Sequence, residues 1–145
     1  MARAAAMRTI QFGAVRDYKS GCVGEYALHI QCPWRFENDT GIITGSDDLY
    51  RPFDENKDLN GDFDWEHDDN LQDHLLRQLL NGYDDRTRQI VNSTNLLVVS
   101  AVEADLTGGF RLKLSGGYRL VVFPTGTRDE AWRIFRPGSE EEHFV

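Results

Sequence analysis

Residues 95–135, NLLVVSAVEADLTGGFRLKLSGGYRLVVFPTGTRDEAWRIF, carry the strongest structural signal in the chain. Four apolar runs, LLVVSAVEA (96–104), FRLKL (110–114), YRLVVF (118–123) and AWRIF (131–135), are separated by LTGG, SGG and PTGT. Successive side chains of a strand point to opposite faces, and glycine pairs supply the positive φ of tight turns, so the stretch reads as an antiparallel β-meander. FRLKL alternates cleanly, with Arg111 and Lys113 outward. The runs 96–104 and 118–123 are apolar on both faces, which places them at the centre of a sheet and leaves 110–114 more exposed.

Upstream, YALHIQCPWRF (26–36) reads as one half-buried strand. Leu28, Ile30, Cys32, Trp34 and Phe36 share its inner face, and His29, Gln31 and Arg35 its outer row. Pro33 removes a ladder donor, which marks an edge or a bulge at that point. ENDTG (37–41) is a turn, IITGS (42–46) pairs back, and TIQFGAV (9–15) is a weaker first strand. DNLQDHLLRQLLNG (69–82) reads as a helix. Asp69 or Asn70 is its N-cap, Leu71, Leu75, Leu76, Leu79 and Leu80 form its apolar stripe, and Gly82 is its expected stop. EEEHFV (140–145) either adds an edge strand or frays. The expected fold class is α+β, a predominantly antiparallel sheet of about five to seven strands with one amphipathic helix packed on one face.

With 145 residues, 40% hydrophobic and 28% charged, the chain fits one globular domain spanning 1–145. No apolar run approaches the roughly 20 residues that cross a bilayer, and MARAAAMRTIQF lacks the continuous apolar core of a secretory signal. The expectation is a cytoplasmic protein whose two cysteines, Cys22 and Cys32, are reduced, with Cys32 a small buried apolar residue.

Charge is concentrated in one place. Residues 47–73 hold 11 acidic side chains against Arg51 and Lys57, a balance of −9, and the rest of the chain sums to +1 (14 bases and 13 acids). An acidic loop at about 47–69 repels phosphates and anionic lipid, which argues against nucleic-acid and membrane partners. It suits a basic protein partner: Asp62, Asp64, Glu66 and Asp68 supply charge, and Phe53, Phe63 and Trp65 supply apolar anchors. A solvated loop with no partner is the plain alternative.

No catalytic constellation emerges. Asn56, Asp58, Asn60, Gly61 and Asp64 can be laid on an EF-hand loop, but its twelfth position is His67 instead of a bidentate glutamate, and Pro52 precedes it in place of an entering helix. His67 and His74 share no fixed face. His29 and Cys32, three apart on a strand, point to opposite faces and cannot share a proton. Ser46 lacks a strand-to-helix elbow, and exposed carboxylates have no burial to separate an acid from a base. The expectation is therefore no metal and no cofactor. What remains is the outer row His29, Gln31 and Arg35. Joined by Arg119 or Arg133 from a neighbouring strand, it would grip a small anionic ligand; otherwise these arginines pair with acids such as Asp48 or Glu130.

LHIQCPWRF, TGSDDLY and the late EAWRIF together resemble a group of small uncharacterised bacterial cytosolic proteins, in which two tryptophan-arginine strands bracket a short helix. The resemblance runs from about Glu25 to Phe135 and carries no activity; the acidic segment is longer here than that group leads one to expect. Small acidic α+β proteins in general often serve as immunity or accessory proteins, which is analogy and not part of the resemblance. The function expected first is thus a non-catalytic binding protein using its acidic loop. The second is a small-ligand protein or enzyme acting on an anionic metabolite at the outer row, and the third a homodimer on an exposed edge strand.

Overall fold

The computed structural model describes residues 2–4, 6–19, 21–66, 69–80, 82–84, 89–91, 97–139 and 143–144. The chain forms β1 (Ala2–Ala4), β2 (Met7–Phe12), β3 (Arg16–Tyr18), β4 (Gly21–Val23), β5 (Tyr26–Ile30), β6 (Trp34–Asn38) and β7 (Gly41–Gly45). The helix α1 (Leu71–Leu79) follows, then β8 (Gly82–Asp84), β9 (Gln89–Val91), β10 (Val99–Ala104), β11 (Phe110–Leu114), β12 (Arg119–Val122), β13 (Trp132–Phe135) and β14 (His143–Phe144). The fold is α+β and antiparallel throughout, as expected. The expected single sheet of five to seven strands is, however, two five-stranded sheets, ordered β1-β2-β5-β13-β14 and β10-β11-β12-β6-β7, with β3-β4 and β8-β9 as short ribbons.

The division falls at Pro33. Residues 26–36 are not one strand: β5 belongs to the first sheet and β6 to the second. The Gln31 N–H donates its bond to Ala131 in the first sheet (2.8 Å), and the Pro33 carbonyl accepts from Phe123 in the second (3.0 Å). A residue without an N–H suits the point where one ladder stops and another begins. The link from β12 to β13 makes the reverse crossing alongside. Inner residues of both sheets, including Ile10, Leu28 and Ile30 on one side and Trp34, Phe36, Leu112 and Leu120 on the other, form one continuous core.

Helix α1 closes one edge of this core, beside β2 and β7. Asn70 caps it, accepting from the Asp73 N–H (2.8 Å), and Leu76 is fully buried at 0% exposure. It ends at Leu80, whose backbone is already extended, and the expected stop residue Gly82 begins β8 instead. Two polar residues lie inside. Arg8, 1% exposed, sits on the core face opposite Ile30, bonds Gln72 Oε1 and reaches Asp73 at 2.8 Å. Gln72, 2% exposed, donates to the Gly45 carbonyl at the end of β7 (2.8 Å), so one side chain joins helix, first sheet and second sheet.

The meander departs from expectation at both ends: only β10, β11 and β12 form it, because residues 131–135 leave the second sheet and pair as β13 with β5 in the first. β10 is an edge strand, not a central one, and Ser100–Ala104 are exposed. β12 is central as expected, and β11 buries Phe110, Leu112 and Leu114 with Lys113 outward. Of the segment 140–145, the described residues His143–Phe144 form β14, pairing with β13 at the edge of the first sheet.

Candidate functional site

The acidic segment is a loop drawn shut at its base. After the 3-10 turn Ser46–Tyr50, Asp48 accepts from the Thr44 hydroxyl (2.9 Å) and the Gly45 N–H (3.2 Å), fixing the turn against β7. Residues 51–53 then pair with 69–71: the Leu71 N–H donates to Arg51 (2.8 Å), the Phe53 N–H to Asp69 (3.0 Å), and Pro52 bridges Asn70. Residues 54–68 therefore leave and return at one point, the form of an Ω-loop. They carry seven acidic side chains and one base, Lys57.

Within it the aromatic anchors are held from two sides. Phe53, 48% exposed, stacks on the His74 ring of α1 with centroids 3.5 Å apart. Trp65 meets Tyr50 of the 3-10 turn edge-on at 5.5 Å, and Phe63 is half-buried. Asp62, Asp64 and Glu66 are exposed, with Asp64 accepting from the Glu66 N–H (2.9 Å). Asp54 accepts twice from Asn56, by its N–H and its side-chain amide, and these bonds hold its carboxyl below the usual range. Asp68 and His67 lie outside the described residues. Among the described residues, no group of three or more His, Cys, Asp or Glu side chains is placed to hold a metal ion.

The outer row is divided by the corner at Pro33. His29 lies on the first sheet between Thr9 and Arg133, accepts from the Arg133 guanidinium at 3.3 Å, and sets its ring edge-on to Phe135. Burial lowers its pKa, the Arg133 charge lowers it further and Glu130 partly opposes both, so its imidazole is neutral at pH 7. Gln31 is exposed beyond the strand end. Arg35 is on the second sheet, bound to Glu37 at 2.6 Å and lying over the Phe123 ring. The row expected to act together is thus distributed over two sheets, because the chain changes sheet between Gln31 and Trp34.

Each arginine expected at the outer row, Arg35, Arg119 and Arg133, has an acidic neighbour. Arg119 reaches Glu37 (3.0 Å) and Asp39 (2.7 Å), and Arg133 reaches Glu130 (3.5 Å). Arg35 also borders a mixed-charge cleft of about 450 Å³ shared with Asp47, Asp48 and Phe123. Cys22 and Cys32 are both free thiols; burial pushes the Cys32 thiol up, away from a nucleophile's requirement. A second cleft, of about 310 Å³, opens between the sheets at the edge opposite α1, and every residue lining it is apolar. No sequence signal marked it, because it depends on how two sheets face each other.

Two facing antiparallel sheets, closed at one edge by α1 and carrying an acidic Ω-loop, make this an α+β protein. No family model, no curated protein and no solved structure matches the chain. Among the described residues, no helix is long and apolar enough to cross a membrane.

Proposed function

We propose that this is a non-catalytic cytoplasmic binding protein whose acidic loop engages a basic protein partner, in an accessory or immunity-like role. The observation that carries the proposal is the closure of residues 54–68 at their base by the pairing of 51–53 with 69–71. Closure lowers the ordering cost of binding, and the aromatic rings are already stacked on the body of the protein. Exposed carboxylates around half-exposed rings provide long-range attraction and short-range burial together.

The anionic-ligand alternative draws less from the geometry. Arg35 is engaged by Glu37, and only His29 and Arg133 remain adjacent on one face. The test is capture from native-host lysate on immobilised protein at low and high salt, with the variant D62N/D64N/E66Q in parallel. A stoichiometric basic protein, retained by the wild type, released by salt and lost from the variant, is the expected result. Equal capture by both proteins would overturn the proposal.

A further inference from the structure

The two sheets are sealed by α1 at one edge and part at the other. Leu28, Phe110 and Leu112 are buried and form the floor of the resulting cleft; Phe12, Trp132 and Val102 form its walls. Val102 points inward, paired across the ladder with Leu112, yet is 63% exposed. A core position left this open is where an apolar occupant would complete the packing.

The cleft is held in shape by its surroundings. The Trp132 indole N–H donates to the Gly108 carbonyl at 2.7 Å, and the Trp132 ring meets Phe110 edge-on at 4.7 Å. Gly108 is fixed in turn by the hairpin between β10 and β11, where one Asp105 oxygen accepts from the Thr107 N–H (2.8 Å), the Thr107 hydroxyl (2.7 Å) and the Gly109 N–H (2.9 Å). Gly108 takes a positive φ of 85°, and a Cβ on Gly109 would lie 2.9 Å from the Val122 carbonyl, so the turn needs both glycines. The wall is therefore pre-formed, and its one polar group is already satisfied.

From this geometry we infer that the cleft binds an uncharged apolar small molecule of about ten carbon atoms. Its volume of about 310 Å³ is roughly twice the ~150 Å³ apolar cavity that accepts one benzene ring. A lining whose one polar group is already bonded offers nothing to a charged or hydrogen-bonding ligand and would leave such a ligand's groups unsatisfied. The site is distinct from the acidic loop and independent of any role the loop has.

Naphthalene is the probe. It is titrated into the full-length protein while the Trp132 indole N–H and the methyl NMR signals of Leu28, Val102 and Leu112 are followed. Saturable shifts confined to these residues are expected. V102W, which fills the cleft from an exposed position, should weaken binding at least tenfold, and I42D, at an exposed apolar residue of β7 on the opposite edge, should leave it unchanged. No saturable shift in the wild type, or equal binding by V102W, would overturn the inference. So would a dimer in sedimentation that V102D dissolves and naphthalene does not, since the cleft would then be an interface between copies of the chain.

Discussion

The two edges of the inter-sheet core have opposite characters. At the β2 and β7 edge, α1 brings Leu76 and Leu79 into the core, and Arg8, Gln72 and Asp73 tie the helix to both sheets. At the β10 and β13 edge no helix intervenes among the described residues, and an apolar cleft remains. Both edges are built from similar strands. Closure here comes from one short helix and one buried arginine, whereas at the other edge a turn and an indole hydrogen bond fix the wall of the cleft.

The largest effect is expected at the closed edge. Arg8→Met keeps an apolar stem but leaves Asp73 without the guanidinium, and breaking a buried pair by removing one partner costs about 3 to 5 kcal/mol. Urea denaturation measures it; a loss below about 1 kcal/mol would mean that the helix is held by leucines alone. Next comes Leu76→Ala, expected to cost about 3 kcal/mol through lost burial and a residual cavity. Its counterpart at the open edge, Val102→Ala, should change stability by no more than about 0.5 kcal/mol, because the side chain has little to lose. Equal costs at the two positions would erase the distinction between the edges. Asn70→Ala removes the cap of α1 and should cost about 1 kcal/mol.

How much of this was legible follows from where the information lies. The β10-β11-β12 hairpins, an interruption at Pro33, the capped helix and the inward set Leu28, Ile30, Trp34 and Phe36 depend on local periodicity and turn residues, and the sequence shows them, whereas the transfer of residues 131–135 to the other sheet leaves no local mark. That 26–36 serves two sheets depends on which partners its backbone meets, and Pro33 signalled a break without saying to where. The edge position of β10 was misread because apolar residues on both faces look the same whether a second sheet covers them or a cleft does. Arg8 and Gln72 were missed although a signal existed: Arg8 shares the period-two face of Ile10, and Gln72 precedes Leu76 by one helical turn. Polar residues on an apolar face are read as noise until their partner is known. At the candidate site, the loop's charge was plain from composition, but the pairing of 51–53 with 69–71 that closes it was not.

The outer faces serve as the control for the contrast between edges, with effects well below those at Arg8 and Leu76. Glu37 on the second sheet has its carboxyl held below the ordinary value of 4.5, chiefly by its hydrogen bond to Arg35, against an opposing push from burial, and further by Arg119. Its contribution is therefore fully present above about pH 4.5 and is lost as pH falls through the depressed folded value. His29 on the first sheet is depressed from 6.5. The unfolded chain takes up its proton first, so stability declines as pH falls below about 6.5 toward the folded value. Glu37→Gln should flatten the lower window and His29→Gln the upper, each by no more than about 1 kcal/mol at such partly exposed positions. Both variants should shift one common thermal midpoint, because the sheets share a single core. If each variant instead moved a separate transition, the sheets would be unfolding independently, and the helix clamp at the closed edge would not be coupling them.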